Sequence, residues 1–261
     1  MHVGINLNSK LPIQDAIDAL LENGIDRTFV CIEHPQFTEA MCALIKAGIT
    51  VDSFHAPFKN QNRIWEEGEA GELMLANFLK SVDYCVEYGV PILVAHVSNG
   101  RPMPPISEIG LDRYDKFVAY ARSKGIQIAF ENHRYAENVQ LIMARYPDMG
   151  FCLDTSHENG FTPGINYMEM WTDRLIATHL SDNEYVCDKD MHMIPFDGNI
   201  DFAQVARQIA KCPNEVTLML EIKPTNHPKY KDMPIKEYYA AAAESIRKFA
   251  HMVEECKNQN A

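Results

Sequence analysis

No two cysteines in this chain are spaced C-x-x-C, and their number is odd: seven, at Cys31, Cys42, Cys85, Cys152, Cys187, Cys212 and Cys256. Most lie in apolar periodic segments, which argues against a disulfide framework or a cysteine zinc motif and reads as reduced thiols. No run approaches the roughly 18 consecutive apolar residues of a membrane span. The opening Met1-His2-Val3-Gly4-Ile5-Asn6 lacks the basic-then-apolar order of a secretory leader. A cytoplasmic protein with no membrane partner is the expectation. No Gly-rich fingerprint follows any strand-like run, so no nucleotide cofactor is expected. Basic residues are scarce, 24 Lys+Arg against 36 Asp+Glu, for a formal net charge of -12. That field opposes a polyanion and argues against nucleic acid.

What is present is a long alternation. The 261 residues are 46% hydrophobic, enough for one large core, and a single domain over residues 1–261 is expected. Eight β-rich runs read as strands: His2–Leu7, Arg27–Glu33, Ile49–His55, Pro91–Val97, Ile126–Glu131, Met149–Asp154, Leu175–Leu180 and Val216–Ile222. Between them lie amphipathic stretches such as Pro12–Gly24 and Phe37–Gly48, each closing on a glycine suited to a helix C-terminus. Gly89 and Gly125 repeat that ending before the fourth and fifth strands. Eight βα units predict an α/β fold, a (β/α)8 TIM barrel; an open doubly wound sheet shares the local pattern.

Active sites of barrels gather at the carboxyl ends of the strands, and here those ends are unusually polar. The third gives F-H-A-P-F with His55, the fourth V-A-H-V-S with His96, and the fifth A-F-E-N-H with Glu131 and His133. The sixth gives L-D-T-S-H with Asp154 and His157, the seventh T-H-L-S-D-N with His179 and Asp182, and the eighth L-E-I-K with Glu221 and Lys223. A loop after the seventh carries Asp190 and His192. One ionisable residue at a strand end has an ordinary explanation, a hydrogen-bonded core group or a helix cap. Six strands in succession call for a positive charge at the mouth, and a divalent cation supplies it. Glu131, Asp154, His179 and Glu221 come from four successive strands and can converge. Their three carboxylates and one imidazole suit one ion of Mn, Mg, Co or Zn and leave the site one negative charge. Asp154 and His157 can both face the mouth only if the strand ends at Asp154 and the chain turns, making His157 a group behind the ligands.

The ordered set F-H-A-P-F, A-F-E-N, L-D-T-S-H, T-H-L-S-D-N, D-x-H-x-x-P-x-x-G-N-I-D and L-E-I-K resembles the xylose isomerase-like barrel superfamily. More narrowly it resembles the sugar phosphate isomerase/epimerase group, whose relatives include ketose 3-epimerases, inosose isomerases and dehydratases, and endonuclease IV. In the isomerase branch the resemblance implies one metal on Glu131, Asp154, His179 and Glu221. Both glutamates act as acid and base on opposite faces of a ketose or keto-polyol, passing through an enediolate, and His157 touches a substrate oxygen. In the endonuclease branch it implies three zinc ions, with His55, His96, His157, Asp190 and His192 added as ligands. The loop Lys59–Glu72 holds more acidic than basic residues and the segment after Glu131 lacks a Gly-rich run, which favours a small-molecule sugar over DNA. In the single-metal branch His55 and His96 are structural or face the substrate. A keto-polyol dehydratase and a non-catalytic sugar-binding protein share the same motifs.

The remaining candidates are weaker. Lys223 is placed to hold a sugar hydroxyl or phosphate, or a surface ion pair. Trp65 offers a wall for the apolar face of a sugar, or plain packing. His133 and Arg134 read as a local ion pair with Glu137. The last helix, from Ile235 to about Cys256, reads as a cover for the barrel bottom or a homo-oligomer contact.

Overall fold

The computed structural model describes residues 1–260. All eight expected strands form: β1 (Val3–Ile5), β2 (Arg27–Cys31), β3 (Thr50–His55), β4 (Ile92–Ala95), β5 (Gln127–Glu131), β6 (Gly150–Asp154), β7 (Leu175–His179) and β8 (Leu218–Leu220). Each is parallel to its neighbours. β2 to β7 make one ladder in sequence order, and β1 pairs with β8 in register Val3↔Leu218 to Ile5↔Leu220. Two thin seams join these pieces into a closed ring. Leu180 N donates to Met219 O at 2.8 Å and Glu221 N to Leu180 O at 3.0 Å, while Leu7 N donates to Phe29 O at 3.3 Å. The end strands β1 and β8 are three residues each, shorter than their apolar runs, because only the residues that reach the neighbour's ladder count as strand.

Among the described residues nine helices cover the outside: α1 (Ile13–Glu22), α2 (Phe37–Ala47), α3 (Glu69–Tyr88), α4 (Glu108–Ser123), α5 (Ala136–Arg145), α6 (Thr155–Phe161), α7 (Tyr167–Trp171), α8 (Phe202–Ile209) and α9 (Ile235–Asn260). Gly48 and Gly89 end α2 and α3 in the left-handed conformation, at φ 74° and 68°, which a side chain would strain. None of the described helices is long and apolar enough to cross a membrane. α9 packs against α1 and α8 over β1 and β8, so it fills the last place in the helical ring and does not cap the barrel bottom. Its buried face runs Tyr238, Tyr239, Ala242, Ala243, Ile246, Phe249 and Val253, the spacing of one helical stripe.

Two apolar layers result. The larger lies between sheet and helices. A small separate one, Val94, Ala129, Cys152 and Ala177, fills the barrel interior with Ile92 and Ile176. These interior residues set the parity of the site, since side chains two apart on a strand share a face.

Candidate active site

Two residues beyond each small interior side chain stands a polar one. Val94 leads to His96, Ala129 to Glu131, Cys152 to Asp154 and Ala177 to His179; on β8 the buried Met219 likewise stands two residues before Glu221. The interior row thus passes from apolar filling to ligand-type groups at the carboxyl end of the strands, all but Glu221 fully or nearly buried. Register completes the arrangement: Glu131 lies opposite Cys152, and Asp154 opposite His179.

One donor atom from each of Glu131, Asp154, His179 and Glu221 falls within 4.8 Å of the others. His179 Nδ1 sits between the two glutamates, 3.0 Å from Glu131 Oε1 and 3.1 Å from Glu221 Oε2, and its ring stacks on Phe29 at 4.3 Å. Asp154 Oδ2 and His179 Nε2 are buried with no hydrogen-bond partner among the described residues. Three carboxylates this close, one with an unpartnered oxygen in the interior, fit a divalent cation and are costly without positive charge. Burial pushes the Asp154 carboxyl up to about 7 against the pull of His157, with Glu131 adding to the rise. Burial acts the same way on Glu131 and Glu221. There the imidazoles of His179 and His96, and Lys223 with His192, outweigh it and hold both glutamates well below the ordinary carboxylate range.

Histidines surround this group. His55 Nε2 and His96 Nε2 each lie 3.1 Å from Glu131 Oε2, while His157 Nε2 and His192 Nε2 approach Asp190 Oδ2 at 3.4 and 2.6 Å. In three of them the other nitrogen is tied to a backbone carbonyl. His55 Nδ1 donates to Ala56 O at 2.7 Å, His157 Nδ1 to Asn132 O at 3.0 Å and His192 Nδ1 to Glu221 O at 3.0 Å. Lys223 Nζ lies 2.7 Å from His192 Nε2 and 3.0 Å from Glu221 Oε1. Burial drives the His96 imidazole down to about 4. For His157 burial is outweighed by Asp154 and Asp190, which raise it to about 10.

The chain turns as expected after Asp154. It caps α6, its Oδ1 accepting from His157 N at 2.7 Å, and this carries His157 into the mouth on the first turn. The rim is pinned by paired bonds between strand ends. Asn132 Nδ2 donates to Asp154 O while Asp154 N donates to Asn132 Oδ1, and Thr155 and Ser181 exchange a similar pair. Asp182 accepts from Asn183 N, Gly198 N and Ile200 N, folding back the loop that delivers Asp190 and His192.

Two sequence readings need correction. Trp65 is core, not a sugar-facing wall. A short 3-10 turn at Gln61–Trp65 carries it inward, where its indole N–H reaches Val97 O at 3.1 Å and its ring meets Tyr114 and Gly110. Arg134 pairs with Asp188 at 2.8 Å, not Glu137, and lies 3.7 Å over the Phe161 ring; Arg101 joins the same carboxylate at 3.1 Å. His133, assigned from the sequence to that local pairing, is instead buried among His96, His157 and Phe161. Its place two residues beyond Glu131, the polar end of β5, was the available signal. Asn132 gave none, because its role is to bridge two backbones.

The family model described as xylose isomerase-like TIM barrel matches residues 34–249. The uncharacterized protein y4fM of Sinorhizobium fredii is 28% identical over 211 residues, 67% of this chain. The chain spans 66% of that relative's length, just under two thirds. Among solved structures, an L-ribulose 3-epimerase superposes with a TM-score of 0.76 at 11% identity, over 100% of this chain and 97% of its own. The IOLI protein with a bound zinc atom gives 0.77 at 16%, over 98% and 99%. At these identities the structural likeness is one of fold. The family match covers most of the sequence and the structure closes the same barrel: the chain belongs to the xylose isomerase-like TIM barrel family.

Proposed function

We propose that this protein is a divalent-metal-dependent sugar isomerase or epimerase acting on a ketose or related keto-polyol. The observation that carries the reading is the convergence of Glu131, Asp154, His179 and Glu221, with the two glutamates meeting on either side of His179 Nδ1. These four residues would hold the ion. A bound divalent ion supplies Lewis acidity toward a carbonyl and stabilises negative charge on its oxygen. Either Glu131 or Glu221, both kept ionised, is suited to take the proton from the carbon beside the carbonyl and, once protonated, to return it; delivery from the opposite face requires the second glutamate to have taken up a proton from solvent first. His157, cationic beside Asp190, donates to a substrate oxygen, and Lys223 holds a hydroxyl. The structural neighbours named as 3-epimerases support the substrate class by analogy of fold.

A second reading rests on tautomers. Each of His55, His157 and His192 gives its Nδ1 proton to a backbone carbonyl and turns Nε2 toward a carboxylate, the orientation typical of histidines that hold metal. That favours the three-zinc, phosphodiester-cleaving arrangement. Lys223 counts against it, since its ammonium already stands at His192 Nε2. Metal analysis of the chain purified without chelator, with a ketose panel in deuterated water, separates the two. The proposal expects one tightly held ion in the carboxylate set and deuterium incorporation beside a ketose carbonyl. Three zinc ions with cleavage of abasic DNA and no sugar exchange would sink it.

A further inference from the structure

Outside the carboxylate set, three imidazoles from consecutive strand ends form a second group. His96 follows β4, His133 follows β5 and His157 sits on the first turn after β6. All three are buried, and a ring nitrogen from each lies within 4.8 Å of the other two. The His133 ring centroid is 4.4 Å from that of His96 and 4.7 Å from that of His157. His96 Nδ1 and His133 Nδ1 are buried with no hydrogen-bond partner among the described residues. Two unpaired ring nitrogens are expensive in a native interior, where nearly every polar atom finds a partner, and their cost points to something that binds there. The third ring is oriented: His157 Nδ1 donates to the Asn132 carbonyl, which turns Nε2 toward Asp190 Oδ2 at 3.4 Å, so that a bound ion would take the place of the Nε2 proton and stand between the ring and a substrate oxygen. Phe161 closes one side, 5.1 Å from His133 and 4.9 Å from His157.

We infer that His96, His133 and His157 form a second metal site, distinct from the carboxylate set, for a transition ion such as zinc or cobalt. Three imidazoles make a complete protein set for a four-coordinate ion and leave one position for water or a substrate oxygen. The donor chemistry sorts the two sites. An all-nitrogen set prefers zinc, cobalt, nickel or copper, whereas the oxygen-rich set also accepts manganese and magnesium. The site needs only His133 beyond groups that already border Glu131 and Asp190, so it does not depend on the sugar reading.

The test is a Co²⁺ titration of the chelator-stripped full chain, read by equilibrium dialysis and by visible absorption. The unmodified protein should take up two equivalents, one giving the intense bands of a nitrogen-rich, low-coordinate ion. His133→Phe should lose that equivalent and those bands and keep the other. Glu221→Gln should do the reverse. His133→Asn serves in place of the phenylalanine variant if that one does not fold. Unchanged uptake and spectrum after loss of His133 would overturn the inference, as would an unmodified protein that binds one ion whose loss follows Glu221→Gln. Failure of the sugar reading looks different: two ions bound and no ketose turned over.

Discussion

Glu131 carries more of the site than any other side chain. Its Oε1 meets His179 Nδ1 at 3.0 Å and its Oε2 meets His55 and His96 at 3.1 Å each, all with the carboxylate fully buried. Glu221 shares His179 from the other side but remains partly open to solvent, at 14% exposure, and touches Lys223. One glutamate is locked by imidazoles while the other faces the entrance. Both variants Glu131→Gln and Glu221→Gln should lower turnover of the true substrate by roughly 10²–10⁴, the usual weight of a lost acid–base group. Glu131→Gln should also disturb His55, His96 and His179 together, whereas Glu221→Gln should disturb His179 and leave His55 and His96 in place, because the amide turns one of its two ends into a donor facing rings that expect an acceptor. Steady-state kinetics and histidine ring NMR signals check the pair together. Near-normal kcat in either variant would remove that residue from the proton path.

At the scale of elements, the loop between β7 and α8 and the turn into α6 position what the strands alone cannot. Asp182 holds the first through three backbone N–H groups, and a Cβ on Gly198 would lie 2.5 Å from both Asn183 O and Asp182 Oδ1. Gly198→Ala must therefore push the loop away, moving Asp190 and His192. The expected result is a loss of about 1–3 kcal/mol from overpacking and a fall in kcat of at least ~10-fold, since small misplacements are costly in a preorganised site. In α6, burial raises the Glu158 carboxyl from 4.5 to about 7. The folded protein then binds this proton more tightly than the unfolded chain between those values, so the share of stability from Glu158 falls as pH rises from 4.5 to 7 and is flat above. Urea unfolding from pH 5 to 8 should show a fall of which Glu158 contributes on the order of 1–3 kcal/mol, and Glu158→Gln should make it shallower while leaving the share of Asp154, raised over the same range. The same elements explain what the sequence made legible. Strand ends and the ligand-type residues on them follow from period-two parity, so Glu131, Asp154, His179 and Glu221 could be placed together from spacing alone. Trp65 could not, because a 3-10 turn has no apolar period to read. Nor could the Arg134–Asp188 pair, 54 residues apart across the barrel mouth; His133 shows in the sequence only as a polar residue past Glu131, without its partners His96 and His157.

For the whole molecule the site is an electrostatic problem set inside a closed ring. The chain carries a net charge of -12, and Glu131, Asp154, Asp190 and Glu221 converge at the mouth beside the thin seam between β7 and β8. Without metal, the charge is balanced by protons: Asp154 holds one up to about pH 7, and His157 holds one up to about pH 10. A divalent ion must displace such protons, so its affinity should rise with pH between 6 and 8 as Asp154 gives up its own. Bound at about 1,000 times its Kd, an ion that ignores the unfolded chain adds about 4 kcal/mol. For a chain of this size that is roughly 8–16 °C in Tm. Melting curves of chelator-stripped and Mn²⁺-loaded protein should thus differ by about 10 °C at pH 8 and by less at pH 6, and Glu221→Gln should shrink the gap at both. Coincident curves at both pH values would mean that His179, His157 and Lys223 already neutralise the carboxylates, and that the mouth is a proton-balanced ion-pair network with no need of metal.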